Sequence, residues 1–338
     1  MSFRRSEYDV TNKVNVTETP KVLDVIEEIL TDIYKKYDKA LLKKAFEDCD
    51  NLFDGSYPGY LPCDALYHDK QHTMDMTLAL ARLINGHDRS VKKTEKIGAD
   101  NAVLSIITAL FHDSGYIRNK YDSKHHNGAE YTLSHVGRSS KFLERYFHNL
   151  GLDDESRISS QMVHYTGYEV APGNIVLPEK KLHIAGHMLG TADLIAQMAD
   201  RCYLEKCRDR LYPEFVIGGL AVHRDKDGNK KVIYSSAEDL LNKSSNFYNY
   251  EVKKRLDELF NKVYNYESAH FDGKRLYSEA LHLNQTTLKE ITKKESNFDS
   301  LSRTPPENYG TRNFPGLQKF LNMHPHIAPE ISCNTMPQ

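Results

Sequence analysis

The sequence predicts an all-α fold, and three observations carry that prediction. Apolar residues return at three- and four-residue intervals through segment after segment. One helix-length run is apolar on nearly every side, as a buried central helix requires. Only one short stretch, 222–234, has the look of strand, turn and strand.

Residues 1 to about 18 are polar. From Pro20 the series Val22, Val25, Ile26, Ile29, Leu30 and Ile33 predicts a helix with the proline in its first turn. A second helix is expected over 40–49, where Leu41, Leu42 and Phe46 share a face, and prolines and glycines at 55–62 then force a loop. The next predicted helix, 66–85, would set His68 and His72 one turn apart on one side.

The apolar run is 101–111, and it ends in His112-Asp113-Ser114-Gly115. Adjacent side chains on a helix point about 100° apart, so His112 and Asp113 can reach one point only from a helix end or a local distortion. A further helix should run to about Asn149 and stop at Gly151. Another is expected over 153–165. The patterned region 181–211 holds Asp193 among Leu189, Ala192, Leu194 and Ile195, and a carboxylate there needs a partner.

Pro213 is expected to interrupt that region, and Asp227-Gly228 to turn a short β-hairpin. Helices are predicted over 247–264 and 274–291. The proline-rich tail from Asn297 is expected to lie along the surface or to be partly mobile. This gives four regions: an N-terminal extension with helices (1–59), a core (60–212), C-terminal helices packing on it (213–296) and an irregular tail (297–338).

Composition narrows the partners. Lys and Arg number 45 against 47 Asp and Glu, a net charge of -2, which argues against a nucleic-acid polymer as ligand and favours a small molecule. Five irregularly spaced cysteines make no disulfide framework. No stretch approaches a membrane span and the N-terminus has no apolar run, so a reduced, cytoplasmic protein without membrane contact is expected. The oligomeric state stays open, a homodimer included.

His68, His72, His112, Asp113 and Asp193 are ionisable residues set in apolar helical segments. Burying them is costly unless they pair with one another or bind metal. A mixed histidine and aspartate shell suits one or two divalent ions such as Zn, Mn, Mg, Fe or Ni, and without cysteine it is not a structural zinc finger. Gln197, one turn after Asp193, reads as an ordinary amide.

In this order the residues resemble the HD superfamily of metal-dependent phosphohydrolases, over roughly 60–212. Tyr67-His68-Asp69-Lys70-Gln71-His72-Thr73-Met74-Asp75-Met76 is similar to the Tyr-His-Asn-x-x-His-x-x-Asp-Val signature of class I cyclic nucleotide phosphodiesterases, with Asp69 in place of Asn and Met76 in place of Val. The resemblance implies an HD-type helical bundle in which His72, His112, Asp113 and Asp193 bind a first metal and Asp113 bridges to a second. It makes His68 the general acid, assigns His126 and His164 to the second metal or the phosphate, and lets Asp75 orient His72.

The implied activity is phosphoester hydrolysis by a metal-held hydroxide, with a cyclic nucleotide-like phosphodiester as the leading substrate. Alternatives are a nucleotide phosphatase or polyphosphate hydrolase, or a metal-containing sensing module without turnover. The His-Asp-x-Gly-Lys motif of cyclic dinucleotide hydrolases is not present, nor is the His-Asp-x-Asp-His continuation of the class I enzymes.

Overall fold

The computed structural model describes residues 4–224, 230–293, 298–314 and 322. Helix α1 (Thr19–Ile33) has Pro20 in its first turn as expected and buries Val22, Ile26, Ile29 and Leu30. Helix α2 (Lys39–Asp54) runs past Cys49, because Leu52 and Phe53 prolong its apolar face, and closes on Gly55 at φ +80°.

Helix α3 (Lys70–Ser90) starts later than its apolar pattern suggests. Asp69 adopts an extended backbone and caps the helix, its carboxylate accepting a 2.8 Å hydrogen bond from the His72 N–H. His68 therefore lies in the segment before the helix, not one turn below His72 on the same face. Every residue from Gln71 to Asp88 is buried, which makes α3 a central helix, with α1, α4 and α7 packed around it.

Helix α4 (Ala99–Leu110) is buried almost throughout, as its composition predicts. A 3-10 turn, Gly128–Tyr131, precedes α5 (His135–Asn149), and the chain turns at Gly151 with φ +75°. Helix α6 (Asp153–Met162) tightens into a 3-10 turn at Val163–Tyr165. The long patterned region divides: α7 (Lys180–Ala199) ends where Asp200 leaves helical geometry, and α8 (Tyr203–Lys206) follows.

Pro213 does not interrupt the chain there. A π-helical turn, Cys207–Leu211, leads into α9 (Tyr212–Ile217), and Pro213 occupies the first turn of α9, where no N–H is required. Strands β1 (Val222–Arg224) and β2 (Lys230–Val232) pair antiparallel, Val222 opposite Val232, as the hairpin reading requires. The Asp227-Gly228 dipeptide lies outside the described residues.

Helix α10 (Ala237–Phe247) lies ahead of the helix expected over 247–264 and is capped by Ser236, whose hydroxyl accepts from the Asp239 N–H. It continues through π-helical turns at Tyr248–Val252 and Arg255–Leu259. The short α11 (Glu267–His270) and α12 (Leu276–Lys293) complete the helical body. Residues 298–314, including α13 (Tyr309–Asn313), lie along it: Arg208 donates to the Leu301 carbonyl at 2.8 Å and Asn308 donates to the Leu66 carbonyl at 2.9 Å.

One apolar cluster draws on residues from Val14 to Leu301, with α3, α4 and α7 near its middle. Helices dominate the described residues, and the two-stranded ribbon is their only sheet. No helix among them is long and apolar enough to cross a membrane.

Candidate metal centre

Three chain segments meet at the inner end of α3. His72 stands in the first turn of that helix, held there by the Asp69 cap. His112 and Asp113 follow the last residue of α4, where Phe111 (φ -112°, ψ 10°) and Asp113 (φ -103°, ψ 10°) have left helical geometry. The unwinding is what lets two adjacent side chains face one point. Asp193 comes from the middle of α7.

Ligand atoms of His72, His112 and Asp113 all lie within 4.8 Å of one another, and all three residues are buried. The His112 Nδ1–H is donated to the Ala109 carbonyl at 2.8 Å in the tautomer that leaves Nε2 facing inward. That Nε2 lies 3.1 Å from Asp113 Oδ2 and 3.8 Å from Asp193 Oδ1. His72 Nε2 is 3.1 Å from Asp193 Oδ1 and 3.6 Å from Asp113 Oδ2.

Despite these short distances, His112 Nε2 and Asp113 Oδ2 are buried with no hydrogen-bond partner. The two atoms face each other at 3.1 Å without hydrogen-bond geometry, and a cation between them would satisfy both. Burial disfavours the Asp113 carboxylate, yet the neighbouring His112, His68 and His72 outweigh it and hold its carboxyl far below the usual range. The residue is ionised, as a ligand must be. The cluster of His72, His112 and Asp113 can hold a metal ion, and Asp193 stands within reach of the same point.

Beside this cluster, His68 faces a partner that the sequence reading missed. Its Nδ1 is hydrogen-bonded to Glu214, a fully buried carboxylate on α9 that also accepts the Tyr67 N–H at 2.7 Å. Burial disfavours the imidazolium, but Glu214 outweighs burial and pushes the His68 pKa up to about 9. His68 also stacks on Tyr116, with ring centroids 4.3 Å apart, and Tyr116 stacks on His135 at 4.4 Å.

His135 is the second residue the sequence did not reveal. It starts α5, and its Nδ1 contacts the Thr132 carbonyl at 2.6 Å, which leaves Nε2 3.9 Å from Asp113 Oδ1. Gly115 makes this approach possible, because a Cβ there would lie 1.9 Å from the His135 carbonyl oxygen. A histidine at the start of an amphipathic helix was the available signal, and it points to no site by itself.

No protein-family model, curated protein or solved structure matches the chain. The roles of its residues therefore rest on their own geometry.

That geometry revises three of the expected positions. His126 is exposed, with its backbone N–H donated to Glu130, and it belongs to the loop leading into the capped Asn127 turn. His164 sits in the 3-10 turn after α6 with a buried Nδ1 that has no hydrogen-bond partner, and burial lowers its pKa. Neither lines the cavity at the metal cluster, which His135 does instead. Asp75 makes no hydrogen bond to His72; burial, with Asp200 and Asp9 nearby, pushes its pKa up to about 7.

A cavity of about 500 Å³ opens directly onto the cluster. His68, Asp113, Tyr116, His135 and Asp193 form its polar end, and Tyr67 donates its hydroxyl to Gln197 Oε1 at 3.2 Å alongside.

Proposed function

We propose that this chain is a metal-dependent phosphohydrolase of the HD type that cleaves a singly charged phosphoester. The observation that carries the reading is the pairing of orphaned buried ligand atoms on His112 and Asp113 with a protonated, carboxylate-held histidine at the same cavity wall. His72, His112, Asp113 and Asp193 would hold the first ion, and Asp113 with His135 would offer ligands to a second. Bound divalent ions would polarise the phosphoryl group and make water nucleophilic near neutral pH.

The protein's own residues supply the rest. Glu214 fixes the tautomer of His68 so that Nδ1–H is spent and Nε2–H is presented to the cavity. From there it can deliver a proton to the departing alcohol oxygen. Tyr116, stacked between His68 and His135, keeps both rings in place.

The charge inventory supports a single phosphoester over a polyphosphate. Lys243 is the only Lys or Arg in the described cavity wall, and its Nζ is engaged by Asp239 at 2.8 Å and by the Ile233 carbonyl at 2.7 Å. Glu169 adds a further negative charge. A cyclic nucleotide-like phosphodiester, the class suggested by the 67–76 signature, meets the single-charge condition; a nucleoside triphosphate does not.

The test is a panel of phosphomonoesters, cyclic nucleotides and nucleoside triphosphates, each with Mn, Mg, Zn, Fe and Ni, and with wild type beside Asp113→Ala. Turnover of a singly charged ester that Asp113→Ala abolishes is the expected result. If metal-loaded wild type hydrolyses none of them, a sensing module that holds metal without turnover replaces the enzyme.

A further inference from the structure

We propose that the group esterified to the phosphate is large and apolar, so that the site takes an amphiphilic phosphoester rather than one recognised through a nucleobase edge. This rests on the phosphohydrolase reading for the polar end of the cavity only. The apolar character of the other end does not depend on it.

Beyond the histidines and aspartates the cavity wall changes character. Leu194 and Met198 of α7, Leu211, Phe215 of α9, and Leu240 and Phe247 of α10 line it. Its mouth is apolar as well: Leu133 is 77% exposed, Tyr168 53% and Phe247 43%. Large apolar side chains gathered in water at a cavity entrance mark a binding surface for an apolar ligand. The volume of about 500 Å³ falls in the range of roughly 300–1,000 Å³ that ligand pockets occupy.

The serine and threonine hydroxyls of the wall and its one glutamine point away from a base-reading role, because they already donate to the protein. Ser244 Oγ donates to the Leu240 carbonyl at 2.8 Å, Thr132 Oγ1 to Ala129 at 2.6 Å and Thr166 Oγ1 to Val163 at 2.8 Å. Gln197 donates Nε2 to the Asp193 carbonyl at 3.2 Å and accepts from Tyr67 through Oε1. A purine or pyrimidine edge placed here would lose its hydrogen bonds to water and gain little from these groups in return. An alkyl chain or apolar ring loses nothing and buries its surface.

The experiment measures two things on the full, Mn-loaded chain. Calorimetry gives the affinity of n-alkyl(methyl)phosphinates from ethyl to octyl, which carry a single negative charge and have no P–O–C bond to hydrolyse, beside cyclic AMP. Turnover is followed with the p-nitrophenyl phosphodiesters of the same alcohols.

Affinity is expected to rise about fourfold per methylene, until the chain outgrows the cavity. Phe247→Asp, at an exposed rim position where folding is not at stake, should cut the octyl-to-ethyl affinity ratio by tenfold or more. A ratio near one in wild type, or tighter binding of cyclic AMP than of octyl(methyl)phosphinate, overturns the inference and leaves the hydrolase reading standing. A chain-length dependence without any turnover does the reverse: it supports the apolar site and removes the hydrolase.

Discussion

Glu214 reaches across 146 residues of sequence to hold Nδ1 of His68, and burial of its carboxylate makes that contact strong. A histidine acts as general acid only while protonated, so its contribution is present below its pKa and is lost as pH rises through it. With His68 pushed up to about 9, the alkaline limb of kcat should fall near that pH. Glu214→Gln keeps the hydrogen bond but removes the charge. The limb should then move toward the ordinary histidine value of about 6.5, and kcat near pH 8 should drop about tenfold to thirtyfold. A pH–rate profile of the variant with an unmoved limb would place the proton on another group.

Gly115 offers a test of the backbone under the site. A methyl group at this position would meet the carbonyl oxygen of His135 at 1.9 Å and its carbonyl carbon at 2.6 Å. Both are main-chain atoms, so no rotamer change relieves the clash. Gly115→Ala should cost about 1–3 kcal/mol in denaturant unfolding and should also lower activity, because α5 must move and His135 moves with it. Full activity with normal stability would show that His135 is not needed where it stands.

These two relationships mark the limit of what the sequence could reveal. Helices α1 and α12, with an apolar period, and α4, apolar on nearly every side, are legible because their burial follows from their own pattern. The start of α3 is misplaced by periodicity alone, since capping by Asp69 decides it, and His68 changes its setting as a result. Helix α10 escapes notice because only Leu240 and Leu241 are buried along it.

At the site, His72, His112, Asp113 and Asp193 stand out as polar residues in apolar surroundings, and the fold brings them together. Glu214 gives no such signal. It follows a proline in a charged segment, and only the tertiary contact with His68 makes it a buried carboxylate. His135 depends in the same way on the absence of a side chain at Gly115.

The N-terminal segment supplies a prediction about stability. Asp9 accepts from Arg82 at 2.5 Å, both side chains are buried, and Arg82 also donates to the Tyr277 hydroxyl at 2.8 Å. Burial opposes the Asp9 carboxylate, but Arg82 outweighs it and holds the carboxyl below its ordinary value. Its contribution is therefore fully present above the unfolded value of about 3.9 and is lost as pH falls through the folded one. Asp9→Ala leaves Arg82 buried without its counter-charge and should cost about 3–5 kcal/mol. Chemical unfolding at neutral pH and at about pH 3 checks both statements, since the difference between wild type and variant should shrink in acid.

The tail is tied to the site through Asp69. Besides capping α3, the Asp69 carboxylate accepts from Arg210 at 2.9 Å and from Asn308 Nδ2 at 2.8 Å, and Asn308 also holds the Leu66 carbonyl. Residues 298–314 thus brace the turn that carries His68 into the cavity. Asn308→Ala removes these two hydrogen bonds and the cap of α13, where Asn308 Oδ1 accepts from the Thr311 N–H at 2.7 Å, and should cost about 1–3 kcal/mol of stability. It should lower kcat several-fold through His68 while leaving bound metal unchanged, because no contact joins Asn308 to His72, His112 or Asp113. Asp69→Ala is the harsher change: it removes the helix cap and strands Arg210, so metal content should fall with activity. Metal analysis of both variants beside turnover separates the two effects. Loss of metal in Asn308→Ala would mean that the tail acts through α3 and its ligand His72 instead of through the His68 turn.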